Sequence, residues 1–136
     1  MIETLIEWSI GDWSNDGHGR YDSRVVAVGH PEGTVAVKAL RKAEDAIAKK
    51  YDIHLEEWFS TYGEDYIGAA DADKLRKLEV TCLGCIPDVY GRLPAMGVDD
   101  YFDIWKQLIE KVDPTLTIRE IQYPVFQGKC TGYGLF

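Results

Sequence analysis

Long apolar runs, basic stretches and an even set of cysteines are all missing from this chain of 136 residues, and each absence removes a class of protein. The longest uninterrupted apolar runs are only a few residues, well short of the roughly 20 needed to span a bilayer, so no membrane segment is expected. The first residues, Met1-Ile2-Glu3-Thr4-Leu5-Ile6-Glu7, lack the basic and apolar regions of a secretion signal, and their acids argue against a transit peptide. A cytoplasmic location is the expectation. Cys82, Cys85 and Cys130 form an odd count, which fits free thiols in a reducing compartment better than a disulfide framework. With 15 Lys and Arg against 23 Asp and Glu, the formal charge is -8. No Lys/Arg stripe offsets it locally, which argues against direct nucleic-acid binding. Also absent are a P-loop and the GxGxxG, GxSxG and HExxH patterns, so the usual nucleotide, hydrolase and zinc-protease readings lose their main support.

The residues that are present describe an ordinary globular protein, with 46% hydrophobic and 28% charged content and with 4 Trp, 8 Tyr and 4 Phe to fill a core. The length fits a single compact domain spanning residues 1–136. Ile2, Thr4, Ile6, Trp8 and Ile10 alternate with Glu3, Leu5, Glu7 and Ser9, a period of two that predicts a strand with one buried face. Arg24–Gly29 is apolar on both faces, as a covered central strand would be, and its simplest pairing is an antiparallel hairpin with the first strand. Val37, Leu40, Ala43, Ile47 and Tyr51 recur at helical spacing, as do Val98, Tyr101, Phe102, Trp105, Leu108, Ile109 and Val112. Asp113-Pro114 stops the second of these helices.

Weaker signals point to a helix around 55–62, a short helix capped by Asp71 and running to Leu78, and a strand over 79–83. Residues 84–97, with Gly84, Pro87, Gly91, Pro94 and Gly97, read as loop. A strand over 115–123 and a hairpin in the Gly-rich tail 127–134 complete the reading. The expected fold class is α+β: an antiparallel sheet of about 3–5 strands packed on one face by two main helices, about 34–51 and 99–112.

Three groups of residues are candidates for function. In the segment 12–22, Asp12, Ser14 and Asp16-Gly17 resemble the first half of a calcium loop, in which oxygens at alternate positions converge on the ion. The closing acid of such a loop falls on Ser23, with Asp22 one residue early, so a divalent cation there is an alternative to plain turn chemistry, and no other cofactor is expected. His18 lies between Gly17 and Gly19, and Asp16 or Asp22 would orient it as a general base or metal ligand. Trp13 and Asn15 in the same loop are candidate binding residues, whereas His30 and His54 read as structural. Cys82-Leu83-Gly84-Cys85 has the spacing of half a zinc site, but only Cys130 and a distant histidine are left to complete it, so plain thiols are favoured.

The third group lies between Tyr51 and Asp73, a stretch with no Lys or Arg that carries Asp52, Glu56, Glu57, Glu64, Asp65, Asp71 and Asp73. Trp58, Phe59, Tyr62 and Tyr66 are interleaved with them. Acids around aromatic anchors suit a basic partner, since charge speeds encounter and aromatics supply affinity, and such a surface can imitate the charge of nucleic acid. The bland alternative is that the aromatics are core and the acids a solvated face. The preferred reading is a small acidic binding domain, an inhibitor or adaptor of a more basic protein, with Glu56, Glu57, Trp58, Tyr62, Glu64 and Asp65 as binding residues. Two alternatives stand beside it: a metal-assisted hydrolase or other small enzyme centred on Asp16, His18 and Asp22, and a structural domain of a homo-oligomer. The partner is accordingly a protein or a small ligand, and turnover is the less favoured reading.

Overall fold

The structure is a computed structural model that describes residues 2–12, 20–55, 66–80, 86–94 and 98–121. Strands β1 (Ile2–Asp12) and β2 (Arg20–His30) form an antiparallel hairpin in continuous register from Ile2 opposite His30 to Asp12 opposite Arg20. The expected alternation along β1 holds where it crosses the core: Trp8 is buried and Thr4 and Ile6 half-buried, while Glu3, Leu5 and Glu7 face solvent. Leu5, the residue that breaks the pattern, is 62% exposed on the outer face. β2 is the central strand, flanked on its other side by β5 (Thr117–Glu120), and Val26, Ala27 and Val28 are fully buried. Glu3 and Arg119 reach across this central strand, each carboxylate oxygen accepting one guanidinium hydrogen bond of 2.8 Å. The Arg119 hydrogen bonds hold the Glu3 carboxyl below its ordinary pKa.

A 3-10 turn, Gly33–Val35, leads into helix α1 (Ala36–Tyr51). A Cβ on Gly33 would lie 2.4 Å from a methyl carbon of Ile2, so the close approach of this turn to the start of β1 requires glycine. The buried stripe of α1 is Ala36, Leu40, Ala43 and Ile47, not the expected stripe beginning at Val37, which is exposed. The 3-10 turn sets the helix start so that position 36, a turn before Leu40, faces the sheet. Helix α2 is Ala69–Lys77, and α3 is Val98–Val112, the latter as its apolar period and Asp113-Pro114 led one to expect. α1 and α3 pack on each other and on the inward face of the sheet, and their buried residues join those of β2 and β5 in one cluster. Its densest part is aromatic: the Trp8 ring meets Phe102 edge-on at 5.1 Å and Trp105 at 5.9 Å. The indole N–H of Trp105 donates to Glu44 at 3.0 Å. Arg24 lies over this cluster, 5.3 Å from the Phe102 ring, and pairs with Asp99 and Glu120. The fold is thus α+β, with the helices on the sheet as expected.

Several local expectations are corrected. α2 is capped by Gly68, whose carbonyl accepts from the Ala72 N–H at 2.9 Å, while Asp71 lies inside the first turn. Glu79 and Val80 are not strand. They close α2 in a Schellman arrangement, with Glu79 left-handed at φ 59, the Val80 N–H on the Leu75 carbonyl and the Glu79 N–H on the Arg76 carbonyl. Within the segment read as loop, β4 (Leu93–Pro94) pairs antiparallel with β3 (Tyr66–Ile67) as a second, two-stranded sheet. The final strand is shorter than expected and ends at Glu120. The proposed strand residues 81–83 and the tail hairpin 127–134 lie outside the described residues, as does the helix around 55–62 apart from Leu55.

Candidate functional site

The hairpin register shortens the connection that the sequence made prominent. Asp12 belongs to β1 and Asp22 to β2, opposite Ile10, so the connecting residues are 13–19. Trp13, Ser14, Asn15, Asp16 and His18 lie outside the described residues, and so do Cys82, Cys85 and Cys130. The same is true of Glu56, Glu57, Trp58, Tyr62, Glu64 and Asp65. Among the described residues no group of three or more His, Cys, Asp and Glu is placed to hold a metal ion, and no helix is long and apolar enough to cross a membrane.

The two ends of the acidic stretch are described, and there the acids have cationic partners supplied by α2. Lys74 stands 3.3 Å from Asp52 and 3.4 Å from Asp71, and it donates to the Asp52 carbonyl at 2.6 Å. Asp73 pairs with Arg76 and Lys77. Hydrogen bonds from His54 and then Lys74 keep the Asp52 carboxyl below its ordinary pKa, and those from Arg76 and Lys77 do the same for Asp73. Asp52 itself ends α1 in the left-handed region, its N–H on the Ala48 carbonyl. The acids at both ends of the stretch are therefore compensated by basic residues of α2, the helix in which the stretch ends.

A concavity that no sequence signal marks lies between α2, the 86–93 segment and α3. Ala69, Ala72 and Leu75 of α2, Val80 after it, Pro87, Gly91 and Leu93 of the following segment and Ile104 of α3 line a cavity of about 440 Å³. The side chains of Asp73 and Arg76 complete its wall, and the other lining residues are apolar or glycine. Its volume is within the range of small-ligand and anchor pockets, roughly 300–1,000 Å³. The β3–β4 pairing brings Leu93 into the wall, and the Schellman closure of α2 turns Val80 back toward Leu75.

The segment beside the cavity is held by one carboxylate. Asp88 Oδ1 accepts from the Tyr90 and Arg92 backbone N–H groups, each at 2.9 Å, and Oδ2 accepts from Arg92 Nε at 2.7 Å. The Gly91 N–H closes a turn onto the Asp88 carbonyl at 2.9 Å, the Asp88 N–H bonds the Arg92 carbonyl at 2.8 Å, and Gly91 is left-handed at φ 82. Burial acts to raise the Asp88 pKa, but the hydrogen bonds from Arg92 and Tyr90 outweigh it and hold the carboxyl below its ordinary value. The Arg92 guanidinium lies 4.9 Å from the Tyr90 ring. The turn presents Val89 and Tyr90 to solvent, with Val89 93% exposed, and Ile86 just before it is exposed as well.

No protein-family model, curated protein or solved structure matches this chain. The chemistry of the site therefore rests on its residues. An apolar cavity beside exposed Ile, Val and Tyr of a cross-braced segment can bury apolar groups of another molecule. The signal available in the sequence was the presence of Ile86, Val89 and Tyr90 in a segment punctuated by Pro87 and Gly91, where loops ordinarily carry polar residues.

Proposed function

We propose that this chain is a small acidic binding domain, an inhibitor or adaptor of a more basic protein, and that its contact face is the 86–93 segment with the adjoining cavity. The observation that carries the reading is the exposure of Val89 and Tyr90 on a turn fixed by Asp88, with Ile86 exposed just before it, beside an apolar concavity. Large apolar side chains held out in water by a braced backbone lose little conformational freedom on docking, so more of their burial appears as affinity. A charge of -8 supports the basic partner, since it raises the encounter rate with a cationic surface. The chain order supports it too: the acidic, aromatic stretch runs directly into β3, whose Ile67 pairs with the cavity residue Leu93.

The test is site-specific photo-crosslinking in the cells that make the protein, with a benzophenone side chain at Val89 or, as control, at Lys42 on the exposed side of α1. An adduct formed from position 89 and not from 42, with a protein of net positive charge, is the expected result. Adducts formed equally from both positions, or only with a second copy of the chain, would overturn the reading.

A further inference from the structure

We infer that the cavity is a small-molecule site for a hydrophobic monocarboxylate, whose apolar body of about eight carbon atoms enters the interior while Arg76 meets its head group at the mouth. The inference goes beyond the protein-binding reading, concerns the cavity alone and stands or falls separately from it. The most deeply buried lining residues are Leu75 and Ile104, each 1% exposed, with the buried Val80 and Leu93 beside them. A polar head placed against these side chains would lose its water without gaining a hydrogen bond. It belongs instead where the polar lining side chains, Asp73 and Arg76, stand. The Arg76 side chain is 70% exposed, which keeps its guanidinium within reach of a ligand at the mouth. A volume of about 440 Å³ lies toward the lower end of the roughly 300–1,000 Å³ of small-ligand pockets, which suits a compact body and not a long acyl chain.

The sign of the head group follows from the charges at and beside the mouth. Asp73 is shared, with Arg76 on Oδ1 and Lys77 on Oδ2, the latter at 3.0 Å, while Arg92 pairs with Asp88 inside the turn. Three cations thus stand with two carboxylates, and the excess positive charge falls on α2. Because Lys77 holds the second oxygen of Asp73, Arg76 can turn an edge of its guanidinium to a ligand carboxylate without leaving Asp73 unpaired. A ligand anion brings these groups to neutrality, whereas an ammonium head adds to the excess. The net charge of -8 belongs to the whole chain and is screened beyond about 8 Å at physiological ionic strength, so a head group in contact with Arg76 is governed first by these five groups.

The probes are octanoate, octylammonium, octan-1-ol and butanoate, each titrated into the methyl-labelled full chain and followed by NMR. Octanoate should shift the methyls of Leu75, Leu93 and Ile104 saturably and bind at least tenfold more tightly than butanoate, since each fully buried methylene contributes about fourfold. It should also bind at least threefold more tightly than octylammonium, the scale of one exposed ion pair. Arg76→Gln should remove that preference and leave the affinity for octan-1-ol unchanged. Ala69→Leu, which fills the cavity from the exposed start of α2, should weaken all three eight-carbon probes by at least tenfold. Both substitutions are at exposed positions, and unshifted methyl signals of Leu40 and Leu108 in the main core check that each variant keeps its fold. The absence of saturable lining shifts with octanoate, octylammonium binding as tightly as octanoate, or a preference that survives Arg76→Gln would each overturn the inference.

Discussion

Replacing Leu75 and Leu108 separately by Ala measures whether the cavity is open in solution. Both side chains are almost entirely hidden, at 1% and 0% exposure, so exposure alone gives them the same cost. Their surroundings differ. Leu108 is enclosed by α1, α3 and the sheet, and truncation there leaves a closed void in addition to the lost transfer energy. Leu75 forms part of the cavity wall, so the space left by truncation enlarges an existing concavity instead of making a new closed void. Leu→Ala changes in cores cost roughly 2.7–5.0 kcal/mol, rising by about 24 cal/mol per Å³ of enclosed void. Leu108→Ala belongs near the top of that range, at about 4.5 kcal/mol, and Leu75→Ala near or just below the bottom, at about 2.5 kcal/mol. Urea denaturation with a shared m-value reads the difference of about 2 kcal/mol well outside its error. Equal losses at the two positions would mean that the space beside Leu75 is filled in solution, and the cavity would no longer be available as a site.

Three further outcomes follow from named contacts. Glu79→Gly removes the crowding of a Cβ in the left-handed closure of α2 and should stabilise the fold by about 0.5–1 kcal/mol, read as a higher melting temperature; a lower one would place the residue outside that conformation. The Asp88 carboxyl is held below its ordinary value of 3.8, so its hold on the turn is complete at neutral pH, weakens as the pH falls below that value, and is lost on passing through the lowered folded-state pKa. The amide signals of Tyr90 and Arg92 should titrate together in that window, and a midpoint above 3.8 would contradict the bracing role. Charge reversal at Glu56, Glu57, Glu64 and Asp65 should slow association with a basic partner and flatten its salt dependence, with His18→Ala nearly silent; the opposite order would favour an enzyme built on the 12–22 segment.

The frame of the fold is legible in the sequence because its elements cross the core with regular period. β1 shows its alternation from Thr4 to Trp8, β2 is apolar and buried through Val26–Val28, with Ala27 on the outer face between Leu5 and Arg119 of the flanking strands, and α3 carries a continuous stripe ended by Asp113-Pro114. Legibility fails where backbone geometry is carried by residues without the usual sequence mark. Glu79 adopts the left-handed position where glycine is the expected signal, and Gly68 caps α2 where Asp71 had the conventional cap chemistry. The cavity was hidden for another reason: its lining comes from α2, the 86–93 segment and α3, and no local pattern encodes that meeting. The compensation of Asp52 by Lys74 is likewise a contact across 22 positions that spacing does not reveal.

The most direct test of the binding face is the affinity of the Val89→Ser/Tyr90→Ser double variant for the protein captured from position 89, measured by isothermal titration calorimetry. Both side chains are largely exposed, so the fold should be retained, with circular dichroism and melting temperature close to those of the parent. Binding weakened by about 50-fold or more, as expected when two anchors at the centre of an interface are truncated, is the result the contact face requires. Affinity within about twofold of the parent, from a folded variant, would place the partner elsewhere on the molecule.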